Sequence, residues 1–229
     1  MRVTRITDRL TRLERARFVN AYLVAEEDGY TLVDTTLPRT TQAILAAARE
    51  GGRPIVRIVL THGHADHSGS LDALRAALGE EVPVALGEAD ARILAGEKVV
   101  EGKLRGSWPT VATVPDQLLS GGERIGSLEV VACPGHSPGH VAFLDTRDRT
   151  LIAGDAFTTI GRVEVPNRVR QRFPLAALGT QDRRQVLAAA RTLRALEPGL
   201  LAAGHGKPVR SPLEAIDGAL ARAAQAAAS

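Results

Sequence analysis

The sequence predicts a single α/β domain over residues 1–229, with strands and helices stacked in layers. Three observations predict it. Short β-branched runs such as Ile55-Val56 and Ile58-Val59 alternate with amphipathic stretches of helical period. Gly-, Pro- and Asp-rich turns bound most of these segments. The balance of 44% hydrophobic and 24% charged residues is that of an ordinary soluble protein, in a chain long enough to bury a core. Aromatics make up only 3%, so that core must be built from Ala, Leu, Val and Ile.

Residues 18–24 and 30–34 are apolar runs around the turn Glu26-Glu27-Asp28-Gly29, which makes them a hairpin. Asp34 closes the second strand. Thr40 or Thr41 caps a helix running to about Glu50, where Gly51-Gly52 stops it. A strand over 55–60 and a loop follow, then a helix over 69–78 with Leu71, Leu74 and Leu78 on one face. Residues 82–86 form a short strand and Glu88–Leu94 a helix. Residues 102–115 show no period; they hold Trp108, the only tryptophan, which reads as a packing anchor. Strands over 127–133, 140–145 and 149–153 come next. The long connection 156–179 precedes a helix over 181–196, striped by Val186, Ala189 and Leu193. Leu200–Ala203 is the last strand, and Ser211-Pro-Leu-Glu214 has the spacing of a capping box opening a terminal helix.

The formal net charge is +3, with the basic residues densest in 2–17 and 162–172. Basicity without an accompanying motif reads as solvated surface rather than a nucleic-acid footprint. Cys133 is alone, so there is no disulfide framework. The N-terminus lacks an apolar core of signal-peptide length, and no apolar run approaches the roughly 20 residues of a membrane helix. The expected protein is soluble and cytoplasmic. It acts on a small-molecule substrate, without nucleic acid or membrane, and a homodimer is left open.

Chemistry concentrates in Leu60-Thr-His-Gly-His-Ala-Asp-His-Ser-Gly69. His62, His64, Asp66 and His67 fall within six residues after a strand. On extended chain His62, His64 and Asp66 point to one side, and His67, at the turn into a helix, takes another bearing. One loop can thus address two points a few ångströms apart. Of the six histidines in the chain, His136 and His205 each follow a short apolar run and a glycine. Asp155 does the same. Ligand-bearing loops at strand ends are where function usually lies.

Imidazole with carboxylate suits zinc, iron or manganese, and the lack of thiolate ligands argues against a structural zinc. His62, His64 and His136 would make one site; Asp66, His67 and His205 would make the other, with Asp155 as the bridge. Two cations roughly 3.5–4 Å apart would share a water and supply hydroxide near neutral pH. Asp66 would be the catalytic carboxylate, passing the proton to the leaving group. The expected cofactors are two divalent metal ions, zinc first, with iron or manganese as alternatives.

Thr61-His-Gly-His-Ala-Asp-His67, Gly135-His136-Ser-Pro-Gly-His140, Gly154-Asp155 and Gly204-His205-Gly206 resemble, in this order, the motifs of the metallo-β-lactamase superfamily. The resemblance runs from about Asn20 to His205. It implies a four-layer αββα sandwich, with a dinuclear site at one edge of two facing sheets and the same division of ligands. It further implies that Asp34 is the family's carboxylate behind the ligands. His140 is implied to be a supporting or packing residue, not a ligand. Cys133 reads as a small buried apolar residue.

Particular members fit less well. The β-lactamases are typically exported, glyoxalase II carries a C-terminal glutathione-binding region, and ribonuclease Z carries RNA-gripping segments. Acyl-homoserine lactonases usually place a tyrosine beyond the bridging aspartate, whereas the tyrosines here are Tyr22 and Tyr30. The expected function is a metallo-hydrolase for an ester, thioester or lactone of a small molecule. The connection 156–179 starts beside Asp155, which places Phe157, Thr158, Arg168, Arg170 and Phe173 on one substrate wall. Arg168 or Arg170 would pair with a carboxylate or phosphate. Two alternatives stand beside it. One is a persulfide dioxygenase-like oxidoreductase with one iron on His62, His136 and Asp155; the other is a non-catalytic metal-binding sensor on the same fold.

Overall fold

A computed structural model describes residues 1–228. Its strands form two sheets. The first runs in sequence order: β1 (Arg2–Arg5), β2 (Leu10–Arg15), β3 (Val19–Ala25), β4 (Tyr30–Val33), β5 (Ile55–Val59), β6 (Val84–Gly87) and β7 (Gln117–Leu119). Tight turns keep β1 to β4 antiparallel. Helix α1 (Thr41–Glu50) and helix α3 (Leu71–Leu78) supply crossovers long enough to make β4, β5 and β6 parallel.

The second sheet contains β8 (Arg124–Ile125), β9 (Leu128–Ala132), β10 (Val141–Asp145), β11 (Thr150–Gly154), β12 (Leu200–Ala203) and β13 (Val209–Arg210), in the order β13-β12-β11-β10-β9-β8. Only β11 and β12 are parallel, because α5 (Pro174–Gly179) and α6 (Arg183–Ala195) lie between them in the chain. Two further helices, α2 (Ala65–Ser68) and α4 (Glu88–Leu94), belong to the first half, and α7 (Leu213–Ala228) ends the chain.

Alternation along the strands divides the apolar residues among three cores. Ala21, Leu23 and Leu32 turn outward under Ile44 of α1 and Leu74 of α3. Tyr22, Val24 and Val33 turn inward to meet Val130, Phe143 and Ile152 of the second sheet. Ala142, Leu144 and Leu151 face Val186 and Leu193 of α6 and Ile216 of α7. The result is the four-layer αββα sandwich. Each fully buried side chain such as Phe143 contributes about 1.5–3 kcal/mol relative to exposure.

Three readings of the sequence change. The basic N-terminal stretch, given no element in the sequence, is a hairpin: Arg2, Arg5, Arg9, Arg15 and Arg17 are exposed as expected, while Leu10 enters the inter-sheet core and Leu13 the helix-facing core. Arg12 is only 3% exposed, paired with Glu14 at 2.7 Å. Asp182 is the cap of α6, accepting from Arg184 and Gln185 amides at 2.8 and 2.9 Å. Thr40 precedes α1 without capping it, because its hydroxyl is turned to the Thr35 and Leu37 carbonyls and to Ser70. Among the described residues no helix is long and apolar enough to cross a membrane.

Two backbone bonds stitch the sheets together at one edge. The Val141 amide donates to the Thr61 carbonyl at 2.9 Å, and the Asn20 amide to the Gly204 carbonyl at 2.9 Å. The chain leaving β5, β9, β11 and β12 converges on this edge.

Candidate metal centre

The loop after β5 stays extended as far as His64, whose ψ is 151°. His62 and His64 therefore point to the same side. Asp66 does not share that extended geometry. The chain turns into α2 at Ala65, so Asp66 and His67 are presented from a single helical turn. The two bearings that the sequence required arise from this change of backbone.

The structure gathers all seven candidate residues. His62, His64 and His136 form one cluster and Asp66, His67 and His205 another, each with its ligand atoms within 4.8 Å of one another. His62, His67 and Asp155 form an overlapping third. Asp155 joins the two: its Oδ2 lies 3.5 Å from His136 Nε2 and 3.1 Å from His205 Nε2, and its Oδ1 lies 3.5 Å from His67 Nε2. Asp66 Oδ2 is 3.4 Å from His205 Nε2. Gly204 is a glycine because a Cβ there would stand 2.3 Å from Asp155 Oδ1.

Hydrogen bonds on the far side of each ring decide which nitrogen faces inward. His67 Nδ1 lies 2.8 Å from Asp34 Oδ2, and His205 Nδ1 lies 3.0 Å from the Phe18 carbonyl. His62 Nδ1 meets Thr61 Oγ1 at 3.0 Å; that hydroxyl donates to Asp34 at 2.9 Å, so it accepts from the ring. His136 Nδ1 meets Thr180 Oγ1, which donates to the Ala176 carbonyl, and the same logic applies. All four rings carry a proton on Nδ1 and aim Nε2 at the centre. His64 is reversed: its Nδ1 lies 3.1 Å from His136 Nε2.

Outer-nitrogen anchoring is how metal-binding imidazoles are oriented. The inner atoms fit it. His62 Nε2, His67 Nε2 and Asp155 Oδ1 are buried with no hydrogen-bond partner, and buried polar atoms without partners call for an explanation. A site with five imidazoles, two carboxylates and such atoms pointing inward suits divalent cations.

Supporting residues behave as chemistry requires. Asp34 takes φ +64°, which aspartate tolerates, and also accepts from the Thr61 amide at 2.8 Å. His140 Nε2 accepts from the Asp155 amide at 3.0 Å while its Nδ1 lies 3.0 Å from Cys133 Sγ, so it holds the bridging residue from behind. Cys133 is fully buried, and burial pushes its thiol pKa up.

The two clusters differ in charge. Burial lowers His62 and His136 well below the usual imidazole range, and His64 to about 4. Burial also opposes protonation of His67 and His205, but nearby Asp34, Asp66 and Asp155 outweigh it, raising them to about 9 and about 10. Asp66 and Asp155 are held below the ordinary carboxylate range despite burial, because these histidines face them.

The pocket over the centre has a volume of about 420 Å³, walled on its apolar side by Leu37, Leu175, Ala176 and Leu178. Gly106 and Ser107 complete it. Leu175 and Leu178 are 58% and 51% exposed, on a helix hidden inside the connection 156–179. Trp108 packs edge-on against His64, with ring centroids 4.8 Å apart, as an anchor for residues 102–115.

Thr158, Arg168, Arg170 and Phe173 line a neighbouring cavity of about 770 Å³ rather than this pocket. Phe173 adjoins both, its ring 4.6 Å from that of His205. Arg170 is paired with Glu164 at 3.2 Å; Arg168 and Arg172 have no ion-pair partner among the described residues. Phe157 requires correction. Its side chain is fully buried among Val163, Val186 and Ala190 in the core beneath α6 and α7, so it forms no substrate wall.

Residues 15–205 match the family described as the metallo-beta-lactamase superfamily. The chain is 41% identical over 211 residues to the uncharacterized protein YobT of Bacillus subtilis (strain 168), covering 90% of each chain. It is 31% identical over 141 residues to the probable metallo-hydrolase YybB of the same organism, covering 62% of this chain and 63% of the relative. Among solved structures, TTHA1623 in a di-iron-bound form superposes with a TM-score of 0.66 at 30% identity, covering 88% of this chain and 94% of that one. The chain belongs to the metallo-beta-lactamase superfamily, whose members are generally hydrolytic enzymes with dinuclear metal sites.

Proposed function

We propose, from that membership, that the chain is a dinuclear metallo-hydrolase that cleaves an ester, thioester or lactone of a small molecule. The observation that carries this reading is Asp155 Oδ2, within 3.5 Å of His136 in one cluster and 3.1 Å of His205 in the other. One carboxylate oxygen so placed can serve two cations. His62, His64 and His136 would hold the first, and Asp66, His67 and His205 the second. Bound there, the cations supply Lewis acidity and a water acidified to near neutral pKa.

The protein's own groups do the rest. Both ligand carboxylates line the pocket, and Asp66 is the more accessible, 34% exposed against 4% for Asp155. Held ionised, it can accept a proton from the attacking water and deliver it to the leaving oxygen or sulfur. Ser68 cannot compete as a nucleophile, since its hydroxyl donates to the Gly63 and His64 carbonyls at 3.0 Å. Leu37, Leu175 and Leu178 would seat an apolar acyl portion. Arg168, with Thr158 and Phe173, would receive an anionic end. Arg170 is the weaker candidate, because Glu164 already engages it.

Zinc is the proposed metal, with iron next because the 30%-identical TTHA1623 was solved with two irons. A one-iron dioxygenase would use His62, His136 and Asp155 and leave the second cluster idle. The outer anchors on His67 and His205 support the two-metal reading instead. The test combines metal analysis of purified protein with turnover on an ester, thioester and lactone panel. Near two equivalents of metal and hydrolysis are expected, abolished in His64→Ala and Asp66→Ala with the fold retained. One iron with thiol-dependent oxygen uptake would replace this reading by the dioxygenase. Metal binding without turnover would favour a sensor.

A further inference from the structure

The first cluster is assembled from two sheets. His62 and His64 leave β5 of the first, whereas His136 leaves β9 of the second. Something must fix the spacing between those loops before any cation arrives. Asp90, the third residue of α4, lies between them and is fully buried.

Its carboxylate touches both loops at once. Oδ2 accepts from the Gly63 amide at 2.9 Å and from Ser137 Oγ at 2.5 Å, and Oδ1 accepts from the Gly139 amide at 2.6 Å. Gly63 separates His62 from His64. Ser137 follows His136, and Gly139 precedes His140. The start of α4 is pressed onto the second loop so closely that a Cβ on Gly139 would stand 2.4 Å from the Asp90 amide nitrogen.

A buried carboxylate without a cation beside it is costly unless its oxygens are well occupied. No arginine or lysine pairs with Asp90 among the described residues. Three short bonds to neutral donors take that place, and all three donors belong to ligand loops. Asparagine could not do the same: with one oxygen it would satisfy one side and turn its NH₂ toward a donor on the other.

We propose that Asp90 is a positioning residue for the first metal, setting the distance of His62 and His64 from His136 by clamping the two loops to one carboxylate. The inference rests on the three imidazoles being a metal triad and not on which reaction follows. It is distinct from Asp34, which braces His67 and Thr61.

The experiment uses the full chain, stripped of metal and titrated with Zn²⁺ against a chromophoric chelator. Apo-protein melting is followed in parallel by circular dichroism. Asp90→Ala should weaken one of the two Zn²⁺ equivalents by about 10–100-fold, the range for losing an outer partner of a metal site. The other equivalent should be largely unchanged. Asp90→Asn should fall between.

Ser137→Ala removes one donor without stranding another. It covers the case in which Asp90→Ala does not fold, and it should weaken the same equivalent by a smaller factor. A lower apo melting temperature with both Zn²⁺ affinities unchanged would make Asp90 a fold anchor only and overturn the proposal. Unchanged affinity in a folded Ser137→Ala would count against it equally. If the protein binds two Zn²⁺ normally but hydrolyses nothing, the proposed function fails while this inference stands.

Discussion

The two metal clusters are built from the same side chain and behave as opposites. His62, His64 and His136 are neutral imidazoles with lowered pKa values and no carboxylate of their own. Asp66, His67 and His205 form a charge-dense set, in which the histidines hold protons tightly against Asp34, Asp66 and Asp155. The difference teaches that burial alone does not set a metal site's character. Desolvation keeps the first cluster neutral, and the carboxylates fill the second with protons until a cation displaces them.

Removing the link between the clusters should have the largest effect. Asp155→Ala is expected to lower kcat/KM by more than about a hundredfold, beyond the loss of any outer partner, and to reduce metal content toward one equivalent or none. Emission spectrometry and single-substrate kinetics would read it. Two tightly held equivalents and near-normal turnover would show that the clusters do not depend on a shared carboxylate.

The electrostatic contrast sharpens next through pH. His67 and His205 have folded pKa values of about 9 and about 10 against an ordinary 6.5. In the metal-free protein their contribution to stability is complete below about 6.5 and is lost as pH rises through those values. A cation must displace their protons. Zn²⁺ affinity at the second cluster should therefore rise with pH by about tenfold per unit for each proton released. The first cluster, with His64 at about 4, should bind with little pH dependence above about pH 6. Equal slopes for both equivalents in a chelator titration between about pH 6 and pH 9 would erase the distinction.

The smallest expected change lies in the walls. Leu178→Ala should raise KM for an apolar acyl substrate by roughly tenfold or less, with metal content untouched. An effect confined to metal content would mean that α5 supports the centre rather than the substrate.

Much of the centre was legible because it is local in sequence. His62, His64, Asp66 and His67 announce themselves by spacing after a β-branched strand, and His136, Asp155 and His205 by the glycines before them. The αββα layering followed from the motif resemblance, and the period-two strands are consistent with it. What could not be read depends on tertiary contact. The hairpin β1–β2 was masked by its arginines, because Arg12 is buried only through Glu14 and the Gly206 carbonyl.

Asp90 looks like any polar residue on a short helix until the loops it clamps are in place. Phe157 was misread because adjacency to Asp155 says nothing about direction. Two residues on from an inward carboxylate, the chain faces the helices. Leu175 and Leu178 carried a weak signal in Pro174, a common first residue of a helix, which the irregular surroundings of 156–179 obscured.

One feature of the edge reaches back to how the molecule comes into being. The residues that hold and brace the centre span positions 18 to 205, and backbone bonds from Val141 to Thr61 and from Asn20 to Gly204 join the two halves there. A nascent chain cannot assemble such a centre until β12 and His205 have emerged and the sheets have closed. Cation capture would thus be a late event that locks a finished sandwich, its free energy adding to the association of the halves.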